Sequence, residues 1–391
     1  MQSDCCREKK HSYYLRRIRD ISLDHPIVYT VRIIRVFCPA CRRVFALPPS
    51  ILAQRYQRVT SRGKDAALSF LVTTNGSLTT SSVVARNVTH LHIPRQTLHD
   101  WKQSATANIP WKTIVQQLGF SGVLSVDEFR PKRSVPFNLF ATDRIKGRIL
   151  FLDETADQYA ISGESATQFF QQLQAFSIVP RAIIADMAGG IHKGARTVFP
   201  DALYQYDYFH VVKSIHEKLR SEIRFFWWKL RQEGRADDAA LLWDAQWTLL
   251  RNWEKWNERD EEHWQIITHR FPGSIIARLP AFKQELRDVF DLSRSTTEAF
   301  HRRDQWISNW QSSLTTTKHL KKIVTLMTSS LFPQMITYLD HRWIPRTTNA
   351  ETLIRTYRKM EKARYGFGSL AGRQNHLKLY QLKTYLSQNV G

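Results

Sequence analysis

The chain has 391 residues, and its hydrophobic content of 42%, with 12 Trp and 21 Phe, allows a sizeable core and excludes a disordered protein. The formal net charge of +22 favours a polyanionic partner, and its concentration in residues 1–60 and 341–391 favours nucleic-acid contacts at both ends. No apolar run is long enough to cross a membrane, and the charged start lacks a signal-peptide core, so we expect a cytoplasmic, nucleoid-associated protein without a membrane partner.

Residues 1–60 are expected to form a small, zinc-ribbon-like β module that binds DNA. Val, Ile, Tyr and Phe are frequent from Pro26 to Ala46, as in strands, and this stretch contains Cys38-Pro39-Ala40-Cys41. A Cys-x-x-Cys turn is typical of a zinc knuckle because its two thiolates can share one tetrahedral ion. Cys38 and Cys41 are therefore candidate Zn²⁺ ligands.

The other half of the zinc site is less regular. Cys5 and Cys6 are candidate Zn²⁺ ligands, but adjacent cysteines are an awkward pair, and His11 could replace one of them. All four cysteines lie within the first 41 residues, and in a reducing compartment they indicate metal ligands rather than disulfides. The alternative is a knuckle remnant that binds no metal.

Residues 61–118 contain three predicted short helices with the pattern of a helix-turn-helix. The helices are expected at Arg62–Thr73, Thr80–Thr89 and Pro94–Ala105. The third would present Arg95, Gln96 and His99 near its N-terminus, the part of such a motif that contacts DNA bases. Leu98 and Trp101 would face a core. Three short helices are also common without DNA binding, so the interpretation depends on the basic flank beside them.

Residues 119–210 change to a pattern of alternating strands and helices. Strands are expected at Gly122–Asp127, Phe137–Thr142, Arg148–Leu152, Ala182–Asp186 and Ala202–Tyr206, with a helix at Ser165–Phe176. This order is that of a ribonuclease H-like fold, an α/β class with a mixed five-stranded sheet. The apolar strands indicate a sheet that is covered on both faces.

Residues 211–345 are expected to form a large all-α insertion, followed by the final part of the core in residues 346–391. Ten of the twelve tryptophans lie in the insertion. Pairs such as Trp243/Trp247 and Trp306/Trp310 have the i, i+4 spacing of one helix face. A helical core is the favoured interpretation, and stacking of one or two tryptophans on DNA bases is the alternative.

Three acidic residues have the pattern of a two-metal site. Asp127 and Asp186 end apolar strands, where a carboxylate is unfavourable unless it is solvated or bound to a metal, and Glu351 opens a basic helix. Two Mg²⁺ ions, which prefer oxygen ligands, can neutralise the attacking and leaving oxygens of a phosphodiester. Glu128 competes for a metal role, but in a strand it would point to the opposite face from Asp127. The alternative for each acid is a residue that caps a loop.

Several short segments, in this order, make the chain similar to the ISL-three group of bacterial insertion-sequence transposases. They are Val126-Asp127-Glu128-Phe129, Ala185-Asp186-Met187, Asp207-Tyr208-Phe209-His210-Val211 and Thr348-Asn349-Ala350-Glu351. The resemblance implies that Asp127, Asp186 and Glu351 are the catalytic triad of a DDE enzyme and hold two Mg²⁺ ions. Asp207 and His210 resemble an acid-x-x-His signature of these enzymes and would support the metal ligands.

Basic residues follow Glu351 within three turns of its predicted helix. They are Arg355, Arg358, Lys359 and Lys362. Side chains on the face of Glu351 could bind phosphates of the DNA end that enters the site, and the resemblance favours that contact. A solvated basic face is the alternative.

These features predict a DNA transposase acting on double-stranded DNA, both at the ends of its element and at the target. The N-terminal modules would bind terminal inverted repeats, and the resemblance implies a homodimer or a larger assembly on paired ends. An activated water would cut a phosphodiester, and the freed 3′-hydroxyl would then attack target DNA. The alternative is a non-catalytic DNA-binding protein derived from a transposase. A ribonuclease H-like nuclease acting on RNA is less favoured because it would need neither the helix-turn-helix nor the long insertion.

Overall fold

The chain forms two compact units in a computed structural model. The described residues are 9–47, 52–53, 57–73, 77–107, 109–129, 138–152, 161–314, 317–363, 372 and 375–382. The first unit contains the described residues up to Ile114 and from Thr352 onward, and the second runs from Val115 to Glu351. The five-segment domain division expected from the sequence stays a prediction.

A three-stranded antiparallel sheet forms the start of the first unit. Its strands are β1 (Lys9–Asp20), β2 (Ile27–Cys38) and β3 (Arg43–Ala46), in the order β1-β2-β3. One face of β1 and β2 is buried at Ile18 and Ile33, whereas the other exposes Tyr13 and Leu15. This alternation is that of a sheet with one covered face. The strands agree with the predicted β-rich stretch, and the zinc-ribbon assignment stays a prediction.

Three short helices follow in the first unit, close to their expected positions. They are α1 (Ser61–Thr73), α2 (Leu78–Thr89) and α3 (Arg95–Ala107). The Ser77 side chain caps α2 by accepting a hydrogen bond from the backbone N–H of Thr80. Leu98 is buried in the small core that these helices share, and Trp101 packs against it. The two side chains expected to face a core do so, and the helix-turn-helix assignment stays a prediction.

A mixed five-stranded sheet is the centre of the second unit. Helix α4 (Trp111–Leu118) precedes it, and its strands are β4 (Val123–Phe129), β5 (Asn138–Asp143), β6 (Arg148–Leu152), β7 (Ala182–Ala185) and β8 (Leu203–Tyr206). Their order is β6-β5-β4-β7-β8, with β4, β7 and β8 parallel and with β5 antiparallel to both β4 and β6. The predicted α/β class and the mixed five-stranded sheet are confirmed, and the order is consistent with a ribonuclease H-like fold.

Helices α5 (Gly163–Ala175) and α6 (Gly189–Val198) pack closely against each other beside the sheet. The close approach of these two helices depends on Gly194, because a Cβ atom at this position would clash with the Ala166 Cβ at 2.7 Å. The ring of His192 in α6 contacts those of Tyr204 and Tyr206 in β8, at centroid distances of 4.6 and 5.8 Å. This packing positions the start of α6, which directly follows the end of β7.

Side chains from a later part of the chain cover the other face of the sheet. Val123, Ala182 and Ile184 form a buried cluster with Ile344. The Gln205 side-chain amide in β8 donates to the Met335 carbonyl, and its oxygen accepts from the Tyr338 N–H. The sheet is therefore covered on both faces, as the apolar strands predict.

A series of helices occupies residues 208–340. They are α7 (Tyr208–Gln232), α8 (Ala236–Leu250), α9 (Glu258–Arg270), α10 (Ile275–Asp291), α11 (Thr296–Leu314), α12 (Lys318–Thr328), α13 (Phe332–Met335) and α14 (Thr337–Asp340); α15 (Ala350–Ala363) follows. The described residues of this part contain no strand, as expected for an all-α insertion. Among the described helices, none combines the length and the apolar character that crossing a bilayer requires.

The tryptophan pairs of the helical part have different environments. Trp306 and Trp310 of α11 are buried beside Phe282, which agrees with the predicted helical core. Trp243 and Trp247 of α8 are 44% and 55% exposed, so the core interpretation is wrong for this pair. Spacing of i, i+4 places two side chains on one helix face but does not say what that face contacts.

Two boundaries near the predicted acidic residues differ from the sequence expectations. Strand β4 continues past Asp127 to Phe129, so Asp127 lies inside the strand rather than at its end. Helix α7 begins at Tyr208, before residue 211, because the Asp207 side chain caps it. At Asp127 the backbone pairing of β4 continues past the polar residue. At Asp207 the polar side chain starts the next helix rather than only ending a strand.

Candidate active site

Three aspartates, which we call the aspartate row, lie in or directly after the parallel strands β4, β7 and β8. Ser125 and Ile184 form the last pair of the β4–β7 ladder, and Asp127 and Asp186 each follow two residues later. Ala185 pairs with Tyr206 of β8, which places Asp186 opposite Asp207. Paired residues of parallel strands point to the same face. The topology therefore brings together two expected triad members and the acid of the Asp207-x-x-His210 segment.

Asp127 is buried, with 8% of its surface exposed. Its Oδ1 accepts a hydrogen bond of 2.8 Å from the Glu128 N–H. Burial raises the pKa of Asp127 to about 7, and the charges of Asp186 and Asp207 act in the same direction, whereas His210 opposes them. A nearby cation would lower this pKa and favour the ionised carboxylate.

Asp186 begins the loop between β7 and α6. Its Oδ1 accepts a hydrogen bond of 2.9 Å from the Ala188 N–H, an Asx turn that leads into the helix. The Oδ2 atoms of Asp127 and Asp186 accept no hydrogen bond from any described residue. Each aspartate therefore has one carboxylate oxygen fixed by the backbone and one oxygen left for another ligand.

Asp207 differs from Asp127 and Asp186 because both of its carboxylate oxygens accept hydrogen bonds. Oδ1 accepts from the Phe209 N–H at 2.9 Å, which caps α7, and Oδ2 accepts from the Thr348 hydroxyl at 2.8 Å. The His210 Nε2 lies 3.9 Å from the same Oδ2. With 2% of its surface exposed, Asp207 connects α7 to the segment that precedes α15.

The segment before Glu351 is held at this edge of the sheet by several hydrogen bonds. The Arg144 guanidinium donates to the Thr347 carbonyl at 2.7 Å, and the Thr142 hydroxyl donates to the Asn349 side chain at 2.9 Å. Glu351 is the second residue of α15. These contacts, with the Thr348–Asp207 bond, position the first turn of the helix that carries Glu351.

Glu351 itself does not contact the aspartates. Its side chain is exposed and makes no hydrogen bond or ion pair with the described residues. Within that described part of the chain, no group of three or more His, Cys, Asp or Glu side chains could hold a metal ion. Asp127 nevertheless lies within electrostatic reach of Asp186, Asp207 and His210, and the role of Glu351 stays a prediction.

Glu128 interacts electrostatically with two of the same residues, Asp186 and His210. Burial raises the pKa of Glu128, and the charge of Asp186 adds to the effect while that of His210 opposes it. Strand alternation directs its side chain away from the face of Asp127, yet the carboxyl remains within electrostatic reach of the row. It adds negative charge beside the candidate site.

The expected DNA-binding residues lie apart in the sequence and are mostly exposed. Arg95 and Gln96 are exposed at the start of α3, and His99 is half-buried. The Gln96 amide donates to the Asp100 carboxylate at 2.8 Å, an acidic neighbour that the sequence interpretation did not weigh. On α15 the side chains of Arg355 and Lys359 are exposed, and those of Arg358 and Lys362 lie outside the described residues.

The candidate zinc ligands are only partly described. Cys38 ends β2 and is buried, and Cys41 lies in the turn before β3, where Arg42 has a positive φ of 55°. Cys5 and Cys6 lie outside the described residues. Zn²⁺ binding therefore stays a prediction.

Sequence reasoning assigned no role to three residues that shape the site. Thr348 and Asn349 belong to a segment used for the resemblance, so their position directly before Glu351 was a usable signal. Arg144 gave no sequence signal, because it lies in the turn between β5 and β6 and reaches Thr347 only in the folded chain. Burial lowers the pKa of Arg144, and the Asp207 carboxylate opposes that effect.

Comparison with known protein families identifies the region that contains these residues. A family model described as "Transposase", for DDE enzymes of the ISL-three group, matches residues 124–371, well over half of the chain. No curated protein matches the chain. The matched region contains the aspartate row, the helices of residues 208–340 and Glu351.

Proposed function

The chain belongs to the ISL-three family of DDE transposases, and from this premise we propose that it cuts DNA at the ends of an insertion sequence and joins those ends to target DNA. The proposed catalytic residues are Asp127, Asp186 and Glu351. The observation that carries the proposal is the register of Asp127, Asp186 and Asp207, which gathers carboxylates from three strands at one edge of the sheet.

The chemistry of the oxygen donors at this edge supports Mg²⁺. Asp127 and Asp186 each offer a carboxylate oxygen without a described hydrogen-bond partner, and oxygen is the donor that this ion prefers. The raised pKa of Asp127 fits as well, because a buried carboxylate ionises readily only when positive charge is near. Asp127, Asp186 and Glu351 would hold the metal. When bound, Mg²⁺ supplies the positive charge that phosphodiester cleavage requires.

Asp207 and His210 have a positioning role in this proposal. Asp207 holds Thr348, and thereby the first turn of α15, while His210 lies beside the same carboxylate oxygen. Both oxygens of Asp207 are occupied, which favours a supporting role over a metal ligand. Arg144 and Asn349 hold the same segment, so Glu351 would enter the site on a helix that is fixed at its start.

The first unit would recognise DNA outside the chemical site. Arg95, Gln96 and His99 would contact the terminal inverted repeats, as the start of a recognition helix does. The basic side chains after Glu351 would bind phosphates of the same DNA end. A Zn²⁺ ion held by cysteines would stabilise the β module, and two or more copies would assemble on paired ends.

The proposal is tested with a DNA fragment that carries this gene and its flanking sequence. With Mg²⁺ the full-length protein should nick the fragment at two positions, one on each side of the gene, and with a chelator it should bind without nicking. An RNA–DNA hybrid of the same sequence should be cut at most weakly. Binding without nicks under any divalent metal would favour the non-catalytic DNA-binding alternative, and preferential cutting of the hybrid would favour the RNA nuclease.

A further inference from the structure

A cavity of about 380 Å³ lies beside the start of α7, in the second unit. Tyr208 forms part of its wall and directly follows Asp207, so the cavity begins next to the aspartate row. Its volume is at the small end of the range for small-molecule sites. The proposed catalytic steps use none of the residues that line it.

The floor of this α7 cavity is apolar. Ile215 of α7 and Leu286 and Phe290 of α10 line it, and each is at most 4% exposed. Val212 of α7 lines it as well and is half-buried. A flat, uncharged ring could lie against such a surface without leaving a polar group unpaired.

The rim of the α7 cavity carries two guanidinium groups. Arg287 and Arg346 line it with His216 and Asp291, whereas Lys283 is buried in the wall, where its ammonium donates to the carbonyls of Leu250 and Arg251. Arg346 lies 3.5 Å from the centre of the Tyr208 ring and pairs with Asp291 at 3.0 Å. Arg287 also pairs with Glu254 and Asp291, so both guanidinium groups are held in place by carboxylates and offer their remaining N–H groups to an anion such as a phosphate.

A second cavity of about 390 Å³ shares His216 with the first and continues along α7. Lys213, Arg220 and Arg251 line it, and Arg220 lies 5.0 Å from the centre of the half-exposed Trp247 ring. The two cavities adjoin at His216 and together form a groove along α7, in which basic side chains outnumber the acidic Asp291 and Glu217. Basic side chains with an aromatic ring are typical of surfaces that bind a nucleic-acid strand.

We propose that the α7 cavity holds one unpaired nucleotide of the DNA strand that is cut at the aspartate row, with the strand continuing along the groove. The inference rests on the proposed function and extends it by a position for the cleaved DNA strand on the protein. The base would contact the apolar floor, and its phosphate would contact the cationic rim. An enzyme that extrudes a nucleotide in this way stabilises a strand that has separated from its duplex.

The test compares two duplexes of equal length and sequence, one fully paired and one with a single bulged 2-aminopurine deoxynucleotide. Binding is measured with a chelator at one salt concentration, because affinity for DNA depends strongly on salt. The full-length protein should bind the bulged duplex about tenfold more tightly, with a change in 2-aminopurine fluorescence. Equal affinity for the two duplexes would overturn the inference.

Val212→Trp should fill the cavity and abolish the preference for the bulge while keeping the affinity for the paired duplex. Asn252 also lines the cavity, and Asn252→Asp, which adds a negative charge without a change of size, should weaken the same preference. Val324→Trp on α12, also at a half-buried helical valine, is the matched control and should keep it. Retention of the preference by both cavity variants would also overturn the inference.

Two further outcomes separate this inference from the proposed function. Free 2-aminopurine deoxynucleoside monophosphate should bind far more weakly than the bulged duplex. Equal binding would make the cavity a site for free nucleotides and would overturn the assignment to a strand. Failure to bind either duplex would overturn the proposed function and the inference together, whereas loss of cleavage alone would leave this metal-free readout unchanged.

Discussion

Asp186→Asn is expected to lower Mg²⁺-dependent nicking of DNA by at least about a thousandfold, while DNA affinity measured with a chelator stays that of the wild type. The substitution keeps the Oδ1 acceptor that the Ala188 N–H uses, so the start of α6 should be unchanged. It removes the charge of one proposed metal ligand. Nicking of supercoiled plasmid that carries the gene and its flanks provides the measurement.

Asp201→Asn is the matched control for this variant. Asp201 is exposed in the turn between α6 and β8, and it has no hydrogen bond or ion pair with the described residues. Its substitution should leave both nicking and binding at wild-type values. If Asp186→Asn nicks the plasmid as well as Asp201→Asn does, Asp186 is not a catalytic metal ligand.

Asp127→Asn is expected to stabilise the metal-free protein at neutral pH, by on the order of 2–4 kcal/mol. The pKa of Asp127 is about 7 in the folded protein, against an ordinary value of 3.8 for an aspartate in the unfolded chain. A carboxyl with a raised folded pKa contributes stability that is complete below pH 4 and is lost as the pH rises to 7, because the folded state keeps a proton that the unfolded chain releases. The amide cannot ionise, so the variant should lack this loss.

Urea unfolding between pH 4 and pH 8 measures the effect. The free energy of unfolding of the wild type should fall relative to that of Asp127→Asn as the pH rises, and Mg²⁺ at pH 7 should restore it in the wild type only. Asp143→Asn provides a buried control that should destabilise the protein, since the carboxylate of Asp143 accepts four hydrogen bonds from residues 121, 145 and 146 and an amide nitrogen cannot accept one. Equal pH profiles for Asp127→Asn and the wild type would contradict the assignment of a buried, protonated Asp127.

Much of the sheet was predictable because its strands are short apolar runs bounded by polar residues. Ala182–Asp186 differs from the observed β7 by one residue, and the β5–β6 hairpin lies where it was expected. These strands are buried on both faces, so their composition alone marks them. From the order of the strands we expected Asp127 and Asp186 at a common edge. Strands β4 and β7 do pair in parallel, but Asp127 lies inside its strand rather than at its end.

Other features depend on contacts between distant segments, which a single sequence does not specify. The Thr348–Asp207 and Arg144–Thr347 hydrogen bonds join residues far apart in the chain. The α7 cavity forms where α7 and α10 meet, and neither helix contains a sequence motif that predicts a cavity. Trp247 has the i, i+4 spacing of a core residue but is exposed. The spacing fixes only the helix face on which a side chain lies, and the packing of the helices decides whether that face is covered.

The most direct test of the proposed metal site is iron-mediated cleavage of the protein itself. Fe²⁺ that replaces Mg²⁺ generates hydroxyl radicals in the presence of ascorbate and peroxide, and these cut the polypeptide next to the bound ion. With DNA present, fragments should end beside Asp127, Asp186 and Glu351, and excess Mg²⁺ or the Asp186→Asn substitution should suppress them. Cuts beside both aspartates without one at Glu351 would remove Glu351 from the triad, and the absence of cuts at either aspartate would contradict the metal site.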